Sequence, residues 1–114
     1  MNFLKTIFGS SNSVDATEAK ALISSATPPF ILDVRQPDEY RAGHIAGAKL
    51  IPLGELRSRI NELPQDRQIL CVCASGSRSS LATSQLASAG LNPLNMRGGM
   101  SGWQNAGYPV KTGK

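Results

Sequence analysis

The residues from Ile69 to Ser80 read I-L-C-V-C-A-S-G-S-R-S-S. An apolar run ends at Cys73, small residues follow, and Arg78 closes the segment. Ala74, Ser75, Gly76 and Ser77 have little bulk, so their backbone N–H groups can turn inward and form a nest for an anion. The N-terminus of a helix beginning near Arg78 adds partial positive charge. Arg78 itself adds a full charge and a planar fork of donors. Such surroundings lower a cysteine pKa from about 8.5 toward neutrality. They would also hold an oxyanion, or a terminal persulfide, over the sulfur. Cys73 is therefore read as a nucleophilic thiolate at the mouth of the loop, against the plainer reading of a core thiol. For Cys71, inside the apolar run, the plainer reading is preferred, with a resolving thiol as the alternative.

The neighbouring sequence supplies the elements that would position this loop. Ile69–Cys73 is expected to be a buried strand. Asp15 and Glu18 form a capping-box-like start to a helix with Ala19, Leu22, Ile23 and Ala26 on one face, ended by Pro28 and Pro29. Phe30, Ile31, Leu32 and Val34 predict a second buried strand. Pro37–Ala42 predicts one or two helical turns, and Ala48–Ile51 a short strand. Leu53, Leu56, Ile60 and Leu63 predict an amphipathic helix stopped by Pro64. Ser79–Ala89 predicts a third helix, with Gly90 at its C-terminal cap. Leu91–Met96 reads as another strand, and Gly98 and Gly99 lead into a brief helix around Trp103. Strands alternating with helices indicate an α/β domain with a mainly parallel sheet. In such sheets ligands bind beyond the carboxyl ends of the strands, which is where Cys73 falls.

The chain has 114 residues, which suits one domain. Residues 1–13 are expected to be an arm and linker, and 14–114 the domain. The apolar stretch from Met1 to Phe8 is broken by Lys5 and is too short for a membrane span. The net charge of +4 suits an anionic small molecule or an acidic partner. Basic residues are dispersed and aromatics make up 5% of the chain, which argues against nucleic-acid binding. Two cysteines give no disulfide framework, so a reducing, cytoplasmic location is expected. One histidine and two thiols at this spacing make a poor metal site, and none is expected.

The loop C-A-S-G-S-R, Cys73 to Arg78, resembles the active-site loop of the rhodanese sulfurtransferases. So does L-D-V-R-Q-P-D-E-Y-R-A-G-H-I-A-G-A, Leu32 to Ala48. R-G-G-M-S-G-W, Arg97 to Trp103, looks like the family's closing glycine–tryptophan motif. The resemblance spans roughly Val14 to Gly107. It implies a rhodanese-like fold, with a sheet of about five short strands flanked by helices on both faces. It also implies that Cys73 accepts a sulfane sulfur as a persulfide, cradled by the N–H groups of Ala74 to Arg78, and passes it to a thiophilic acceptor. No cofactor and no general base are needed, because the attacking group is already an anion. The partners implied are a small anionic sulfur donor and an acceptor such as cyanide, a thiol or a protein.

By the same resemblance, Asp33 and Arg35 lie near the loop, Asp33 as a structural group and Arg35 steering anions or simply pairing with it. Glu39 is expected to anchor its turn or to pair with a base such as Arg41. His44, the only histidine, invites a catalytic reading, but the family pattern places it in a structural turn; Trp103 is read as core packing rather than as a substrate platform. Arg97 is read either as positive potential near the mouth or as a solvated residue. The C-x4-R spacing is one residue shorter than that of related phosphatases and arsenate reductases, which suits sulfur better than phosphate. Many thiosulfate-using members carry a basic residue directly after the cysteine. Here that residue is Ala74, which points toward a persulfide donor. The alternatives are a non-catalytic sulfur carrier or interaction module, and a small cysteine phosphatase or arsenate reductase.

Overall fold

Apolar runs of four or five residues bounded by Pro, Gly and polar residues are too short for helices, and they bury best as strands covered on both faces. The computed structural model, which describes residues 12–114, places them so. Strands β1 (Ser13–Val14), β2 (Phe30–Asp33), β3 (Lys49–Leu50), β4 (Gln68–Val72) and β5 (Asn92–Met96) form one sheet in the order β1-β5-β4-β2-β3. Every strand pair is parallel. The connections carry helices α1 (Ala16–Ile23), α2 (Pro37–Ala42) and α3 (Ser77–Ser88), and α4 (Gly99–Asn105) follows β5.

The sheet separates two cores. On one face Ala16 and Ala19 of α1 and Met100 and Trp103 of α4 pack with Ile31, Leu70, Val72 and Met96. On the other, Ala82 and Leu86 of α3 pack with Leu32, Val34, Ile51, Leu56, Ile69, Cys71 and Cys73. Strand side chains alternate, so the central strand β4 feeds both cores, and its Cys71 faces α3 together with Cys73, the residue that follows the strand.

Local signals set the starts of the helices. Asp15 accepts from the Glu18 N–H at 2.8 Å, and Glu18 accepts from the Asp15 N–H at 2.9 Å, a reciprocal capping box. Helix α1 ends at Ile23, well before Pro28, because Ser25 Oγ donates to the Leu22 carbonyl and turns the chain out of the helix. Helix α3 begins two residues earlier than predicted, at Ser77. The amphipathic helix predicted over Leu53–Leu63 is instead two 3-10 segments, Leu53–Glu55 and Arg57–Glu62. Leu53 and Leu56, then Ile60 and Leu63, are three residues apart, and a three-residue turn stacks such pairs on one side. Ser13, read as the end of a linker, lies in β1, and the neighbouring Asn12 carbonyl accepts from the Asn95 N–H at 2.7 Å. The rest of the arm, residues 1–11, lies outside the described residues.

Candidate active site

Cys73 is the first residue past β4, and Gly76 is the N-cap of α3. Gly76 has φ +106°, and an added Cβ would lie 3.1 Å from Gly98 N, so the turn requires glycine. This turn aims the Gly76 N–H at Cys73 Sγ, 3.0 Å away. Ser79 Oγ, from the first turn of α3, lies 3.3 Å from the same sulfur. Burial pushes the Cys73 thiol up, but the Ser79 hydroxyl and the N–H groups of Ser79, Gly76 and Ser75 pull it down, and the net shift is below the ordinary value of 9.0. The sulfur lies under the loop, not at its mouth: Cys73 has no exposed surface.

Backbone carbonyls would spoil such a nest, and those of Cys73, Ala74 and Gly76 are engaged by other donors. The Met100 N–H donates to the Cys73 carbonyl at 2.8 Å and the Ser101 N–H to the Ala74 carbonyl at 3.1 Å. Asn95 Nδ2 donates to the Gly76 carbonyl at 3.3 Å. The first turn of α4 thus uses its free N–H groups to hold the loop. Gly99 allows this approach: a Cβ there would lie 2.5 Å from Cys73 O and from Ala74 C and O.

Arg78 stands in the first turn of α3, but its fork is engaged by Glu39, with Nη1 and Nη2 donating to the two carboxylate oxygens at 2.8 and 2.9 Å. Glu39 is therefore the partner of Arg78 rather than of Arg41. Its carboxyl is held at about 2 by Arg78, aided by the Gln36 N–H. Asp33 and Arg35 are buried together, with Arg35 Nη2 donating to Asp33 at 2.8 Å and to the Gly43 carbonyl at 2.7 Å. Arg35 is thus a structural ion pair tying the end of β2 to the end of α2, and the anion-steering expectation gives way to that geometry. Helix α2 carries Glu39, so this buried pair helps to place the carboxylate that holds Arg78.

Cys71 is buried, and burial pushes its thiol up to about 12, which suits an inert core residue. His44 is also buried: its ring stacks on Tyr40 at 3.7 Å and Nδ1–H donates to the Tyr40 carbonyl. Trp103 packs in the core, with Nε1–H donating to the Pro109 carbonyl. Arg97 donates to Ser13 Oγ and lies 3.7 Å from Glu18, joining β5 to β1 and α1. Among the described residues no cluster of His, Cys, Asp or Glu could hold a metal ion, and no helix is long and apolar enough to cross a membrane.

Sequence reasoning missed Ser79 and Asn95. Ser79 had a usable signal, since a hydroxyl in the first turn of the helix that follows a thiol loop faces back toward it. Asn95 had none; it reaches the site because β5 lies beside β4, with Asn95 in register with Cys71.

A five-stranded parallel sheet with a thiol loop at the carboxyl end of its central strand defines a cysteine-loop α/β domain. The chain belongs to the rhodanese-like domain family, whose model matches residues 15–106. It is 31% identical over 100 residues to a sulfurtransferase of Allochromatium vinosum, covering 87% of this chain and 94% of that one. It is 35% identical over 116 residues to thiosulfate sulfurtransferase 18 of Arabidopsis thaliana, covering 88% and 83%. Two relatives from Bacillus subtilis are longer, and the chain spans 59% and 40% of them. A rhodanese-related protein of Thermoplasma volcanium superposes with a TM-score of 0.81 at 36% identity, covering 87% of this chain and 96% of that one. These relatives support a rhodanese-type sulfurtransferase in general.

Proposed function

We propose that this protein transfers sulfane sulfur through a persulfide on Cys73. The observation that carries the reading is the sulfur held between the Gly76 N–H and the Ser79 hydroxyl, at 3.0 and 3.3 Å, in a loop whose Cys73, Ala74 and Gly76 carbonyls are engaged by other donors. The thiolate attacks the outer sulfur of the donor; a new S–S bond forms, and the donor's old bond breaks with its electron pair leaving on the departing group. The acceptor then attacks the outer sulfur of the persulfide, and Sγ departs as thiolate. This is covalent catalysis in two half-reactions with ping-pong kinetics. The sulfur is carried on the protein itself, so the cycle requires no metal or cofactor. Both cysteines are free, which suits a reducing cytoplasm.

The donor is a small anion, thiosulfate or a persulfide, and the acceptor is cyanide, a low-molecular-weight thiol or a protein. The Glu39–Arg78 pair favours a persulfide, because the one cation of the loop is already neutralised and Ala74 adds none. Cys73→Ser should abolish sulfur transfer to cyanide while leaving the circular dichroism spectrum unchanged. After incubation of the native chain with thiosulfate or a small persulfide, mass spectrometry should place one extra sulfur on the Cys73 peptide, removable by cyanide. Retained transfer in Cys73→Ser, or the extra sulfur on Cys71, would overturn the proposal.

A further inference from the structure

Ser79 has one hydroxyl hydrogen and two acceptors. Cys73 Sγ lies 3.3 Å from its oxygen, and Asn95 Oδ1 lies 2.5 Å away. An amide oxygen carries no hydrogen, so the hydrogen in the short contact belongs to Ser79. The amide cannot be turned round, because its Nδ2 donates to the Gly76 carbonyl at 3.3 Å, and a reversed amide would set two acceptors against each other. With the hydrogen directed to Asn95, Ser79 offers the sulfur a lone pair. That arrangement suits a thiol, whose S–H can donate to Ser79. It also suits a persulfide, whose inner sulfur carries no charge. It does not suit a thiolate, which needs a donor.

We propose that Asn95 is a positioning residue that holds the Ser79 hydrogen while Cys73 carries a proton or a transferable sulfur, and yields it to Sγ when the thiolate forms. The proposal rests on the reading of Cys73 as the sulfur-carrying residue. When the acceptor attacks the outer sulfur, the S–S bond breaks, its electron pair returns to Sγ, and the Ser79 O–H rotates from Asn95 to the new thiolate. No proton leaves Ser79 and no further reactant is needed. Asn95 thus competes with the thiolate for one hydrogen, and so restrains ionisation of the free thiol.

The other groups around the sulfur do not duplicate this device. Arg78 on α3 is paired with Glu39 on α2. Asp33 at the end of β2 and Arg35 just beyond it are paired with each other, and Arg97 beyond β5 reaches Glu18. Cys71 on β4 is kept neutral by burial, and α4 carries no ionisable side chain. Asn95 also borders a polar hollow of about 380 Å3 lined by Ser80, Thr83 and Arg97, from which water could replace a truncated side chain. Leucine, which fills the space of asparagine and accepts nothing, is therefore the informative substitution.

The rate of alkylation by iodoacetamide, followed against pH on the Cys73 peptide, reads the thiolate directly. Asn95→Leu should lower the midpoint by roughly half a pH unit to one pH unit, the worth of one neutral hydrogen bond. Ser79→Ala should raise it, and Ser79→Ala/Asn95→Leu should match Ser79→Ala alone, because Asn95 acts through Ser79. If Asn95 merely anchored the Gly76 carbonyl, its loss would loosen the loop and raise the midpoint; a rise, or no change, overturns the proposal. Asn95→Ala should shift the same way by less. Should neither variant fold, the Asn95 side-chain amide resonances of the native chain decide: they must move at the Cys73 midpoint, and their standing still overturns the proposal. Sulfur transfer by Cys73→Ser would instead remove the functional reading and leave these thiol titrations intact.

Discussion

At the scale of single residues, the site is governed by which partner each charged group already has. Arg78 and Glu39 are each about a third exposed, at 35% and 31% of their side-chain surface, so solvent screens their attraction. Their bidentate geometry keeps the pair at the upper end for such contacts, about 1 kcal/mol. Glu39 titrates at about 2 in the folded chain against 4.5 ordinarily, so the folded state favours the carboxylate. Its contribution is complete above 4.5 and is lost as pH falls toward about 2. Glu39→Gln should therefore be less stable than the native chain at neutral pH, and the gap should close through that acid window. Urea unfolding of both proteins across the pH series checks this; a gap that persists at the acid end would show that Glu39 acts through packing. The same substitution removes a negative charge beside the loop, so KM for thiosulfate should fall.

At the scale of elements, the loop is shaped by the turn into α4 as much as by its own residues. Gly99 has φ +56°, and its missing Cβ leaves room for the carbonyls of Cys73 and Ala74. Gly90 has φ +86° and nothing within 4 Å of an added Cβ. Gly90→Ala should thus cost about 1 kcal/mol, the strain of a left-handed alanine. Gly99→Ala should cost roughly 3 kcal/mol or more, because it adds a clash with backbone to that strain. It should also abolish sulfur transfer, by releasing the carbonyls toward the sulfur. Urea midpoints and cyanide turnover of the two variants separate these effects; equal losses would mean that the approach of Gly99 to the loop is unimportant. Several of these elements were legible in the sequence because their signals are local. The Asp15–Glu18 capping box, the apolar run before Cys73 and the glycine pair before Trp103 each declare themselves within a few residues. The 3-10 segments were not legible, because Leu53, Leu56, Ile60 and Leu63 satisfy an α-helical stripe as well as a three-residue turn. The site itself was half legible. Cys73 and the small residues after it could be read, but Arg78's partner lies 39 residues away, and Asn95 lies 19 residues from the Gly76 carbonyl it holds.

At the scale of the whole molecule, the sheet couples two cores that share no helix. Leu86 on α3 is fully buried with Leu32, Ile69, Cys71 and Cys73, whereas Trp103 on α4 is buried across the sheet with Leu70, Val72 and Met96. The strand that leads into Cys73 supplies side chains alternately to both, so neither face can loosen without exposing the back of the other. Leu86→Ala should cost about 2–5 kcal/mol, a large share of the 5–15 kcal/mol that holds a domain of this size together. The chain has a single tryptophan, so its fluorescence reports the face that the substitution does not touch. In urea, the midpoint read from Trp103 should fall by the same amount as the midpoint read from Cys73 alkylation and from far-ultraviolet circular dichroism. If the Trp103 transition kept its native midpoint while Cys73 became reactive earlier, the α3 face would open on its own. The active loop would then sit on the weaker half of the molecule; coincident transitions instead make the thiol's protection a property of the whole fold.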